Sequence, residues 1–189
     1  MRAFIAIDVS DEIKEAIAKV EAHLRYAAAD VKWVRPETVH LTIKFLGEIN
    51  EEKAKEAGRI LDKIAGKVRP FELGIKDVGA FPGVTSPRVI WVGLGKGAAE
   101  STALAGEVDE ALSKIGYEKE SRPFSPHLTI GRVKSPKNKE KLKEKIVSAV
   151  GLNLPATKSC EASSVILYQS TLTPQGSIYT KLHEAAFKA

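Results

Sequence analysis

Cysteine occurs once in the 189 residues, at Cys160. A single cysteine excludes an intrachain disulfide and a zinc cage built from thiolates. The sequence places no base beside it, so it reads as a buried structural thiol and not a nucleophile. Methionine also occurs once, and Asn and Gln are scarce. Together with abundant Lys and Glu, that scarcity resembles hyperthermophile composition, which concerns habitat and not function. No apolar run approaches the roughly 20 residues that span a bilayer. The opening stretch, residues 1–10, starts like a signal peptide. Its apolar part is short, however, and Asp8 interrupts it without a small-residue cleavage site. It reads as a first strand, and a cytoplasmic protein is expected. No low-complexity linker or composition shift marks a boundary, so residues 1–189 are expected to form a single domain.

What the chain does contain is the balance of a globular protein, 43% hydrophobic and 28% charged residues. Its formal charge of +5 and pI of about 9.2 mildly favour an anionic partner such as RNA. Only four histidines are present, and two of them open the same tetrapeptide. "HLTI" stands at residues 40–43 and again at 127–130.

The surrounding pattern mixes strands and helices. An alternating strand opens the chain, and Ser10 caps a helix over residues 10–24 with acidic residues in its first turn. A short strand stops at Pro36, and a longer one runs over 38–49. Asn50 caps a second helix. Strands at 71–81 and 87–95 flank a Pro/Gly turn. A helix over 98–116 ends at Gly116, and the second HLTI lies on a strand at 126–133. A helix follows over 135–151, with Pro136 at its first position and Gly151 beyond its end. Strands at 163–172 and 177–187 complete the chain. Hairpin-like and crossover connections together predict an α+β fold with largely antiparallel sheets. Each HLTI strand precedes a helix, as in a diverged internal repeat with two lobes of similar build.

On a strand, successive side chains face opposite ways. Leu41, Ile43, Leu128 and Ile130 are therefore expected in the core. His40 with Thr42, and His127 with Thr129, are expected on an open face, converging on one cleft if the lobes face each other. Two histidines supply a base and an acid near neutral pH, and threonine hydroxyls donate to an anion without adding charge. A phosphodiester needs this set, and no carboxylate cluster stands near either motif to hold a metal. Simple alternation puts Lys44 on the face of His40. It puts Arg132 on the face opposite His127, unless Gly131 permits a bulge or the strand is already ending there. Arg132 is thus either a phosphate clamp or a surface arginine.

Bland roles fit most of the other candidates. A lone histidine on a strand is usually structural, but structural histidines have no reason to recur with the same threonine. His23 and His183 lack that context and read as surface or packing residues. Trp33 and Trp91 are expected in the core, although an aromatic at a cleft could stack on a base. The lysine-rich segment 134–146 reads as the solvated face of a helix.

The paired H-x-T motifs, in the forms "VHLTIKFLGEI" after "WVRPE" and "RPFSPHLTIGRV", resemble the 2H phosphoesterase superfamily. With the opening "MRAFIAIDVS" they are similar to its RNA 2′,3′-cyclic phosphodiesterases, also called 2′-5′ RNA ligases. The resemblance implies a bilobal α+β fold with the active site between two similar lobes, each an antiparallel sheet flanked by helices. It implies metal-free, cofactor-free opening of a terminal 2′,3′-cyclic phosphate to a 2′-phosphate. In some members it implies the joining of tRNA halves through a 2′-5′ linkage. Carried onto this chain, His40 protonates the leaving 3′ oxygen, His127 activates water, and Thr42, Thr129 and Arg132 hold the phosphate oxygens. The partner is then an RNA end, met by a monomer away from any membrane. Two competing readings are a phosphodiesterase of a small nucleotide and a non-catalytic module that binds a nucleotide or RNA end.

Overall fold

The computed structural model describes residues 1–151, 159–174 and 176–188. Within them the elements run β1 (Arg2–Asp8), α1 (Asp11–Arg25), β2 (Val31–Trp33), a 3₁₀ turn (Pro36–Thr38) and β3 (His40–Glu48). Next come α2 (Glu51–Ala65), β4 (Phe71–Phe81), β5 (Val89–Leu94), α3 (Ala98–Ser113) and β6 (His127–Val133). The chain continues through α4 (Lys139–Gly151), β7 (Ser159–Ala162), β8 (Ser164–Thr173) and β9 (Gly176–Ala186).

The strands form one sheet in the order β7-β4-β5-β6-β3-β1-β8-β9, with β2 added alongside β6. Every pairing is antiparallel. The expected α+β architecture with antiparallel pairing is thus present. The two HLTI strands, β3 and β6, are neighbours at the centre, with three strands beyond each along that order. Helices α2 and α3 pack together, with α2 against β8 and β9 and α3 against β3. Helices α1 and α4 pack together on the other half, against β7 and β4 respectively.

Local chemistry accounts for most of the boundaries. The Ser10 hydroxyl accepts from the Ile13 amide, and the Asn50 side-chain Oδ1 accepts from the Lys53 amide at 2.9 Å. Each satisfies one of the free donors at a helix start. Helix α3 closes on Gly116, whose φ of +89° suits glycine, and the Tyr117 amide reaches back to the Leu112 carbonyl at 3.2 Å. Two helix expectations need correction. Helix α4 begins at Lys139 and not at Pro136, because Pro136 sits in a turn whose carbonyl accepts from the Lys139 amide. It also includes Gly151 instead of ending before it. Strand β7 was not predicted: four residues paired to β4 give too short a run for alternation to show.

Candidate active site

The site is built on one point of contact. Strands β3 and β6 pair through Leu41 and Leu128. In an antiparallel ladder, one step to either side sets Thr129 across from His40 and Thr42 across from His127. Leu41, Leu128, Ile43 and Ile130 are all in the core, at most 4% exposed, as alternation predicts. His40, Thr42, His127 and Thr129 are half-buried on the opposite face.

Alternation then breaks at the same place in both strands. Against β1, the ladder jumps from Thr42 opposite Ala6 to Lys44 opposite Ile5. Against β5, it jumps from Thr129 opposite Trp91 to Gly131 opposite Ile90. Each jump is a bulge that leaves two consecutive buried residues, Ile43 with Lys44 and Ile130 with Gly131. The residue after each bulge is turned onto the cleft face. In β6 that residue is Arg132, and in β3 it is Phe45.

The bulge gives Arg132 the cleft face instead of the one simple alternation assigns, and it lines the cleft with Thr129. It overturns the expectation for Lys44. Lys44 points away from His40 into the helix side, 4% exposed. There it meets Asp109 of α3 at 2.6 Å, the Glu118 carbonyl at 2.9 Å and Glu120 at 3.6 Å. Gly131 is required at its bulge by its neighbours. A Cβ there would come within 2.8 Å of Val31 Cγ1 and 3.0 Å of Trp33 Cε3.

The two histidines have matching surroundings. His40 Nδ1 lies 2.8 Å from the Thr38 carbonyl, and His127 Nδ1 lies 2.6 Å from the Ser125 carbonyl. In each case the acceptor is two residues upstream. A carbonyl only accepts, so Nδ1 carries the hydrogen and Nε2 is the free nitrogen of the neutral ring. His40 stacks on Phe4 with centroids 4.8 Å apart, and Tyr179 meets its edge at 5.2 Å. Phe81 meets His127 edge-on at 5.0 Å.

Burial pushes both imidazoles below their ordinary pKa, while the hydrogen bond from each Nδ1 works the other way. A third influence separates them. Asp8, directly across the ladder from His40, favours its charged form. Arg132 disfavours the charged form of His127. Asp8 is itself held by the Tyr168 hydroxyl, which donates to its two carboxylate oxygens at 2.9 and 2.8 Å.

A cleft of about 530 Å³ opens over this face. His40, Thr42, Thr129 and Arg132 line it, while His127 stands outside that lining, beside Phe81. The lining holds five cations, Arg2, Lys32, Arg35, Arg132 and Lys134, and no carboxylate among the described residues. No three His, Cys, Asp or Glu side chains gather as a metal-holding group among the described residues. Sequence reasoning missed Phe4, Phe45, Arg35 and Tyr179. The strand pattern of β1 signalled Phe4 as buried but not which side chain it would support.

The remaining expectations divide. His23 bonds Ser148 and His183 bonds Asp62, both at 2.9 Å, so each has a packing partner away from the cleft. Trp33 is not a core residue: it packs on the core's edge, lines the cleft and carries Arg25 over its ring at 5.1 Å. Trp91 is half-buried, pairs across from Thr129 and touches Phe81 at 5.3 Å. Cys160 is half-buried and its thiol is pushed up by burial, the reverse of an activated nucleophile. The face of α4 is solvated as expected, with Leu142, Ile146 and Ala149 turned inward.

Comparison with known proteins identifies the family. The family model "LigT like Phosphoesterase" matches residues 7–91 and again residues 93–179, so each match contains one HLTI motif. The chain belongs to the LigT-like phosphoesterase family. Among members of the family, the RNA 2′,3′-cyclic phosphodiesterase of Methanocaldococcus jannaschii is 41% identical over 97% of this chain and 99% of its own length. The protein of the same name from Methanothermobacter thermautotrophicus is 35% identical over 96% of each. The structure of E. coli LigT complexed with 3′-AMP superposes with a TM-score of 0.77 at 27% identity, covering 100% of this chain and 98% of that one. No helix among the described residues is long and apolar enough to cross a membrane.

Proposed function

We propose that this protein is an RNA 2′,3′-cyclic phosphodiesterase, a hydrolase that opens a terminal cyclic phosphate to a 2′-phosphate by paired-histidine acid–base catalysis. The observation that carries the reading is the crosswise register at Leu41 and Leu128. It gives one phosphate an imidazole from each strand and a threonine from each strand. Relatives named RNA 2′,3′-cyclic phosphodiesterase, matched over nearly their whole lengths, support it.

In the proposed reaction the cyclic phosphate lies over Thr42 and Thr129. Nε2 of neutral His127 takes a proton from water as its oxygen attacks phosphorus. Nε2–H of protonated His40 gives a proton to the 3′ oxygen as the P–O3′ bond breaks. The products are a 2′-phosphate and a free 3′ hydroxyl. The Thr42 and Thr129 hydroxyls and the Arg132 guanidinium donate to the nonbridging oxygens, where charge builds. The assignment of acid and base rests on surroundings: Asp8 favours charged His40, and Arg132 favours neutral His127. Both proton transfers are met by side chains, so the reading calls for no cofactor. An RNA 5′ hydroxyl in place of water gives a 2′-5′ linkage by the same two transfers. The chain is read as a cytoplasmic monomer, a single domain whose two halves each contribute one motif.

The test is incubation of a short RNA ending in a 2′,3′-cyclic phosphate, in excess EDTA, with identification of the terminal group. A 2′-phosphate is expected. An unchanged end, or a 3′-phosphate, refutes the reading.

A further inference from the structure

Opening a cyclic phosphate requires only the last nucleotide, yet the cleft extends further than that. Phe45 is 61% exposed and Leu172 is 66% exposed, and both line the same cleft as His40 and Arg132. Single exposed apolar residues are ordinary on a protein surface. These two lie in a cleft whose charged lining is entirely cationic among the described residues.

Phe45 is there because of the bulge. Without the extra residue at Ile43 and Lys44, it would follow alternation into the core side. It is the counterpart of Arg132, placed by the equivalent bulge in β6. Its ring lies 6.2 Å from that of Phe4, which in turn stacks on His40. Phe4 is 3% exposed and has no free face to offer. Phe45 is therefore an open ring one ring removed from the histidine. Arg2, two residues before Phe4 on β1, lines the cleft on the same side.

We propose that Phe45 is a platform for the base of the penultimate nucleotide of an RNA strand, with Arg2 meeting the phosphate that joins it to the last one. This rests on the reading above, that the cyclic phosphate lies at His40 and His127. Bases stack on exposed aromatic rings whatever their identity, and a cationic groove tracks the backbone. The ligand class is thus an RNA chain of at least two nucleotides, without base preference at the second position.

The test compares kcat/KM for cytidine 2′,3′-cyclic phosphate with that for a dinucleotide ending in the same group. The unaltered protein is expected to prefer the dinucleotide at least tenfold. Phe45→Ala lowers that preference about tenfold, the equivalent of about 1.4 kcal/mol. Phe45→Trp keeps it. Equal kcat/KM for the two substrates, or a preference unchanged by Phe45→Ala, overturns the platform. Should neither substrate turn over, the hydrolase reading fails separately, and affinity for the two 2′-phosphate products decides the platform. Tighter binding of the dinucleotide 2′-phosphate that is lost in Phe45→Ala supports it, and equal binding overturns it.

Discussion

Leu41 stands directly across from Leu128, and this one cross-strand pair sets the positions of four polar residues. Neither leucine touches solvent. The chemistry on the open face therefore depends on packing beneath it. Leu128→Ala should destabilise the fold by about 2–5 kcal/mol, the usual range for a buried leucine truncated to alanine. Thr129→Ala, on the next residue, should cost far less stability and far more activity. Urea unfolding and kcat/KM, measured side by side on the two variants, check the contrast.

In the proposed reaction Arg132 meets a phosphate with a two-pronged donor, which a lysine ammonium cannot reproduce. Arg132→Ala is expected to lower kcat/KM by about 10²–10³, as for loss of one donor to a developing oxyanion. Arg132→Lys should recover only part of it. Full recovery by lysine would mean that the guanidinium acts as a simple charge.

Gly131 is held free of a side chain by Val31 and Trp33. Gly131→Ala should force the bulge to shift, at a cost of about 1–3 kcal/mol. Because Arg132 is the next residue, activity should fall together with stability. A variant as stable and as active as the parent would show that the bulge tolerates a methyl group.

Protonation should be visible in stability. His40 and His127 titrate below the ordinary 6.5 in the folded protein, chiefly through burial. Between that value and their folded values, the unfolded chain binds more protons. Stability therefore rises with pH through this window and is lost as pH falls through it. The double variant His40→Ala/His127→Ala should flatten that slope in denaturant unfolding followed from pH 7 downward. Turnover should be bell-shaped, with its midpoint on the acid side of 6.5.

Glu21 predicts the opposite sign. It is 3% exposed on α1, its carboxyl is raised to about 7 by burial, and Oε1 has no hydrogen-bond partner. Arg25 at 3.6 Å offsets part of that rise, and Glu37 adds to it. A raised carboxyl favours the fold below its unfolded pKa, and that support is lost as pH rises towards 7. Glu21→Gln should leave stability at pH 4 nearly unchanged and improve it at pH 8. The expected gain is on the order of 2 kcal/mol, read from thermal unfolding at the two pH values.

Much of this was legible in the chain. The repeated tetrapeptide marked the two strands, and period-two alternation sorted its residues correctly between core and cleft as far as the fourth residue. It failed at the fifth, where Lys44 turned inward. A bulge changes the parity of everything beyond it, and no residue type announces one in β3. The same bulge in β3 hid Phe45. In β6, Gly131 marked where a bulge could fall, because a glycine invites close approach by a neighbour, but it left the face of Arg132 open. Trp33 was undecided for a different reason: its exposure depends on strands far apart in sequence, and a pattern read within one strand carries no information about it. Strand β7 was too short to show a pattern at all.

The two bulges also give the cleft a direction. About the Leu41–Leu128 pair, histidine exchanges with histidine and threonine with threonine, so the two motifs by themselves carry no direction. The residues just past the bulges do not exchange: one is an arginine and the other a phenylalanine. The face is therefore two-fold in its motifs and one-way at its margins, with Arg132 past one motif and Phe45 past the other.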